Sequence, residues 1–176
     1  IKLDLQLDTL NAKALNLITD TLSVSGHVVA DLPSTNPDDL VGNININNLS
    51  LTQGTQTYKA DSISLVASGD ANNKSIVINA DALHAELIGQ YKLTEIAQAL
   101  QQTINQYYNL PGYKQKDFTA ENWQFNATIQ PQGLVLQLMP SLKGSDSVVV
   151  QAHLNTAQND LGLTAKSERI LFSGNQ

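Results

Sequence analysis

The side chains that could do chemistry are few and scattered. The three histidines are His27, His84 and His153. Each falls inside a stretch of strand-like alternation, and none has a second histidine or a paired carboxylate at ligand spacing. A metal ion needs several converging donors. His84 and Glu86 are two apart and share a strand face, which reads as a solvated face rather than an acid–base pair. Asp38-Asp39 lies in a loop bracketed by prolines. Calcium wants more oxygen ligands at regular spacing, so capping and solubility account for that pair. Serine and threonine are abundant, yet there is no G-x-S-x-G, no P-loop and no G-x-G-x-x-G. The chain holds no cysteine, which excludes thiolate catalysis, disulfides and thiolate zinc sites. The expectation is a protein that is not an enzyme, with no metal and no cofactor.

Tyr107, Tyr108, Tyr113 and Trp123 concentrate aromatic residues near the end of an expected helix. Such a cluster can stack on sugar rings or anchor a helix end against a sheet. Anchoring is the favoured reading.

Composition agrees with a non-catalytic role. The chain has 176 residues, enough for one domain with a substantial core, and no linker divides it, so 1–176 reads as a single β-rich segment. Net charge is −6, and the ten basic residues are dispersed. Phosphate neutralisation requires clustered Lys and Arg, so nucleic acid is not a partner. No apolar run is long enough to span a bilayer as a helix. Charged residues make up 15% of the chain, and Asn, Gln, Ser and Thr take their place. That balance typifies exported β-proteins.

Positioning must come from strands, because period-2 alternation dominates. Leu3, Leu5 and Leu7 alternate with polar residues, and Leu22, Val24, Val28 and Ala30 hold one phase around Gly26. Ile44 and Ile46 are followed by Leu49 and Leu51 in the opposite phase, which predicts a β-bulge at Asn47-Asn48. Ile63, Leu65 and Ala67 lead to a hairpin turn at 69–74 and a return strand through Ile76, Ile78, Ala80 and Ala82. Further strands are expected at 83–91, at Trp123–Ile129, at Leu134, Leu136 and Leu138, at Val148–Leu154 and at Leu161–Ala165. One segment breaks the pattern. Apolar residues at 93, 96, 100, 104 and 107–108 predict a helix over 93–109, with Thr94 at its start and Leu110-Pro111-Gly112 ending it. Thr21–Gly26 is echoed by Ser62–Gly69, each behind an acidic residue, Asp20 and Asp61, which suggests stacked hairpins. The result is a mainly β, antiparallel protein of about ten strands, each with one aliphatic and one polar face. A single helix covers only part of such a face. The remainder is buried in a sandwich, in a barrel, or in a half-pipe whose lining meets a ligand or a neighbouring segment.

A resemblance separates these options. Tyr58-Lys59-Ala60-Asp61-Ser62-Ile63-Ser64-Leu65-Val66-Ala67-Ser68-Gly69-Asp70 resembles the recurring strand unit of the AsmA-like superfamily, particularly of TamB-type translocation and assembly proteins. Ala85-Glu86-Leu87-Ile88-Gly89-Gln90-Tyr91-Lys92-Leu93-Thr94-Glu95-Ile96-Ala97-Gln98-Ala99-Leu100 resembles the unit in which a G-x-Y/F strand leads into a short amphipathic helix. Ile104-Asn105-Gln106-Tyr107-Tyr108 is similar to the helix end in TamB-like proteins of Bacteroidetes-type bacteria. The likeness covers about residues 14–140. It implies a strongly curved, taco-like sheet excised from a longer periplasmic protein anchored in the inner membrane. It further implies phospholipid acyl chains, adjoining β-segments and outer-membrane assembly proteins as partners. The groove would be lined by Ile44, Ile46, Ile63, Leu65, Ile76 and Ile78. The other reading of the residues is a β-sandwich adhesion or carbohydrate-binding module of the cell surface.

Overall fold

A computed structural model describes residues 1–11 and 22–171. It contains one antiparallel sheet of nine strands in the order β1-β2-β3-β4-β5-β6-β7-β8-β9. These are β1 (Lys2–Asn11), β2 (Leu22–Ser34), β3 (Val41–Gln53), β4 (Gln56–Asp70), β5 (Asn73–Ala80), β6 (Leu83–Gln90), β7 (Asn122–Ile129), β8 (Val148–Asn155) and β9 (Asp160–Lys166). The sheet is open rather than closed into a barrel, and no second sheet faces it among the described residues. The sandwich and barrel options therefore fall away.

Short turns impose the up-and-down order, because a tight hairpin returns a strand antiparallel beside its predecessor. Between β4 and β5 the Asp70 carboxylate accepts the backbone N–H groups of Asn72 (2.9 Å) and Asn73 (3.2 Å). Between β8 and β9 the Asn155 amide oxygen does the same for Ala157 and Gln158. A side chain that closes its own turn needs no tertiary help. The expected bulge is present: Asn48 is left-handed at φ 52°, and pairing with β2 slips by one residue between Ser25 and His27. Leu51 then lies opposite Val24, as Ile46 lies opposite Val28, so the extra residue keeps both halves of β3 on one face. The echo that begins at Asp20 and Thr21 lies outside the described residues at its N-terminal end.

Two expectations need correction. The nine strands among the described residues agree with an expected count of about ten, but Leu134, Leu136 and Leu138, expected as a strand, belong to a short helix, α2 (Gly133–Leu138). Gly133 at φ 50° turns the chain into it. Leucine and glutamine favour helix once no strand partner is at hand. β8 occupies β7 over its whole length, with Val148, Val149 and Val150 opposite Ile129, Thr128 and Ala127. The other helix, α1 (Ile96–Asn105), is shorter than expected, about 15 Å at ~1.5 Å per residue. Thr94 does not cap it. The Thr94 N–H and hydroxyl both donate to the Asp38 carboxylate, at 3.0 and 2.7 Å. Glu95 takes the cap position instead, but its carboxylate bonds no helix N–H and accepts from the Thr119 N–H at 2.6 Å and from Lys92 at 3.1 Å.

β4 outruns β5, and its lower half would present unpaired backbone. Two side chains stand in for the missing strand. The Asp81 carboxylate accepts the Asp61 N–H at 3.0 Å. The Gln137 amide accepts the Lys59 N–H at 2.7 Å and donates to the Lys59 carbonyl at 3.3 Å, as a neighbouring strand would. This is how α2 is held under the β5–β6 hairpin.

Candidate functional site

The sheet has one apolar face, and the register makes it continuous. Residues directly opposite one another in an antiparallel pair point to the same side. One cross-strand row runs Leu3, Ala30, Ile44, Leu65, Ile78, Ala85, Ala127, Val150 and Ala165, one residue from each strand. A second runs from Leu5 through Val28, Ile46 and Ile63 to Ala80, Leu83, Ile129 and Val148. All six residues expected to line a groove lie on this face, and all six are half-buried. The opposite face carries Asn45, Ser64, Asn79, His84 and Thr128 in one row.

Two covers lie over part of the apolar face. At the end of the sheet where β6 hands over to β7, α1 packs on Tyr91, Trp123 and Leu154, and Ala99 is its innermost residue. Ile76, Leu87, Phe125, Ala152 and Leu161 border that cluster. Gly89 permits the close approach of β6 to β7 there. It sits at φ +134°, and a Cβ would meet the Asn122 carbonyl oxygen at 2.3 Å. At the other end, Val135, Met139 and Leu142 lie over Ile129 and Val148 around a small cavity of about 130 Å³.

Between the covers is an apolar cavity of about 280 Å³, bordered by Leu40, Leu65, Ile76, Ile78, Ala85, Leu87, Leu93 and Phe125, with Glu86 also at its wall. By register the Glu86 side chain belongs to the polar face, opposite Val77 and Asn126. Three of the six expected residues, Leu65, Ile76 and Ile78, border this cavity. Ile44, Ile46 and Ile63 continue the same surface toward β1, where no helix covers it among the described residues. There Leu3 and Leu5 are exposed. Sequence reasoning missed Leu40, Leu93, Ala85, Leu87 and Phe125 as lining. The last three alternate in phase and were legible once the register was known. Leu40 is in a loop, where no periodicity marks it.

A polar clamp closes the α1 end. The loop before β3 includes a single 3-10 turn (Pro37–Asp39) capped by Asn36. The Lys74 ammonium lies at its base, donating to the Asp38 carbonyl oxygen and, at 3.1 Å, to the Tyr91 carbonyl oxygen. Hydrogen bonds from the Thr94 backbone and hydroxyl hold the Asp38 carboxyl below its ordinary range. The Thr119 N–H and Lys92 do the same for Glu95. Glu121 is different. It is 1% exposed, and its two oxygens accept the Trp123 indole N–H at 2.9 Å and the Lys92 N–H at 3.3 Å. Burial pushes its carboxyl above the ordinary range. Burial also pushes the Tyr91 hydroxyl, which has no hydrogen-bond partner among the described residues, up to about 12.

The histidines are dispersed on the polar face. His27 meets Asp4 at 2.7 Å, His84 meets Asn79 at 2.6 Å, and His153 meets Asp160 at 3.2 Å. Among the described residues no three His, Cys, Asp or Glu side chains converge as metal ligands. The aromatic residues do not form one surface. Trp123 is buried beneath α1, whereas Tyr107 and Tyr108 are exposed. Anchoring against the sheet holds for Tyr107, whose hydroxyl donates to the Asn159 carbonyl of the β8–β9 turn at 2.9 Å, whereas Tyr113 donates to Gln102 of α1 itself at 3.2 Å. What the site offers chemically is area: a broad aliphatic surface with a partly roofed pocket. Comparisons with known protein families, curated proteins and solved structures return no match to this chain.

Proposed function

We propose that this chain is a lipid-handling segment of an AsmA/TamB-like envelope protein, in which phospholipid acyl chains lie on the apolar face of the sheet. The observation that carries the reading is the unbroken aliphatic face crossing all nine strands, with α1 and α2 roofing only parts of it. A face that served only as a protein core would be matched by a second layer. Here β1–β3 have none among the described residues, and monomers seldom expose apolar patches beyond a few hundred Å².

The mechanism is passive. Each methylene that leaves water gains about 0.8 kcal/mol, and an aliphatic wall offers no directional bond. Affinity therefore builds with chain length, while the barrier to sliding along the trough stays low. The cavity beside Leu65, Ile78 and Phe125 is the deepest place for a chain end. Headgroups stay toward solvent, where the trough is open. In this role the protein works in the periplasm as part of a longer chain anchored in the inner membrane. It carries phospholipid to the outer membrane or serves outer-membrane assembly, with adjoining β-segments and assembly proteins as its partners.

The test is native mass spectrometry with lipid extraction on the protein purified from a Gram-negative periplasm. Co-purifying phospholipid that detergent displaces is the expected result. A lipid-free protein that also fails to take up phospholipid from vesicles would overturn the proposal.

A further inference from the structure

The segment over 133–144 joins α2 to a 3-10 turn (Pro140–Leu142) and is built like a lid. Its two ends are glycines in the left-handed region, Gly133 at φ +50° and Gly144 at φ +83°. Glycine lets the chain swing there at little steric cost. The posts just outside the glycines are fixed. The Gln132 amide donates to the Asp81 carbonyl oxygen at 2.7 Å, and the Ser145 hydroxyl oxygen accepts the Leu171 N–H at 2.8 Å. What lies between is loosely seated. α2 has no buried residue and no side-chain cap on its first turn, and Leu138 and Met139 are 60% and 50% exposed. The cavity of about 130 Å³ separates Val135, Met139 and Leu142 from Ile129 and Val148, and an unfilled space forfeits contact on both its walls. α1 is the contrast: its Ala99 and Thr103 are buried, and Trp123 and Leu154 pack beneath it.

We propose that the segment over 133–144 lifts as a unit about Gly133 and Gly144 while α1 stays seated, and so regulates how far the acyl-chain trough extends. The latch is Gln137, whose amide bonds both backbone groups of Lys59 in β4. With the lid down, Ile129 and Val148 are covered. With it raised, they join the apolar row that runs from Ile46 and Ile63 through Ala80 and Leu83. The inference rests on the reading of that face as an acyl-chain trough.

Two measurements test the lid, and only the second involves lipid. A helix of six residues does not persist off the sheet. The Met139 N–H, which donates to the Val135 carbonyl at 2.8 Å, therefore exchanges with solvent each time the lid lifts. In amide exchange of the unmodified chain, Met139 and Lys59 should share one protection factor, about a hundredfold below that of Thr103 in α1. Gln137→Ala should lower the Met139 value about threefold to tenfold, although alanine is the better helix former. Met139 protected as strongly as Thr103 overturns the lid. For the second measurement, Val135→Cys and Val148→Cys place thiols on opposite walls of the small cavity. The chain has no cysteine of its own, so dibromobimane bridges that pair alone and locks the lid down. The locked protein should take up phospholipid from phosphatidylethanolamine–phosphatidylglycerol vesicles about tenfold more slowly than the same variant left unbridged, and Gln137→Ala should speed uptake. Uptake indifferent to the bridge overturns the lid and leaves the trough standing. No uptake by the unmodified chain overturns the trough and, with it, the lid's role.

Discussion

Glu121 joins three parts of the molecule: its carboxylate reaches the strand that follows it, through the Trp123 indole, and the chain leading into α1, through the Lys92 amide, while its backbone N–H reaches the β8–β9 turn at Thr156. Glu121→Ala leaves two buried N–H donors without acceptors and should cost about 2–4 kcal/mol in urea denaturation. The pH dependence has a definite sign. A carboxyl whose pKa is raised in the folded state favours folding most when protonated. Its contribution is full below the ordinary Glu value and is lost as pH rises through the raised folded value. The stability difference between the unmodified chain and Glu121→Gln should therefore fall as pH rises from acid to neutral. A difference independent of pH would contradict the assignment. Asp38 and Glu95 act oppositely, because their folded values are lowered, and their contribution is lost as pH falls. None of this was legible from sequence. Glu121 sits at a strand start, and only the fold of the loop over 106–121 brings Lys92 onto it.

At the scale of elements, nearly everything set by local pattern could be read in advance. Alternation gave the phase of each strand, and the doubled asparagine at 47–48 marked the bulge that Asn48 makes. The six residues expected to line a groove share one phase on three adjacent strands, and the observed pairing places them on one face of the sheet. The failures occurred where tertiary competition decides. Leu134, Leu136 and Leu138 alternate as a strand should, yet β8 holds the edge of β7 that such a strand would need. Thr94 is a sound helix cap by type, but Asp38, 56 residues away, claims it. Two predictions test these elements. Gln137→Ala should release α2 from β4, speed hydrogen exchange at the Lys59 amide, and cost about 0.5–1.5 kcal/mol. Leu154→Ala empties a fully buried position beneath α1 and should cost about 2–5 kcal/mol.

For the whole molecule, the open sheet makes stability and binding separable. Ile63 and Leu65 lie on the half-buried face away from the Trp123–Leu154 cluster that packs on α1. Replacing both by Asp should leave the far-ultraviolet dichroism of the sheet intact. Affinity for phospholipid should fall about tenfold, the equivalent of some two buried methylenes, or ~1.6 kcal/mol. In a closed core the same pair of charges would unfold the protein.

The most direct measurement places a photoreactive benzophenone amino acid at single positions while the protein is made in a Gram-negative periplasm, and then identifies what each position captures. On the apolar face, Ile46, Ile63 and Ile78 should each capture phospholipid, and on the opposite face Val66 and Ile88 should not. Capture of lipid equally from both faces, or from neither, would contradict the account of the sheet as an acyl-chain trough.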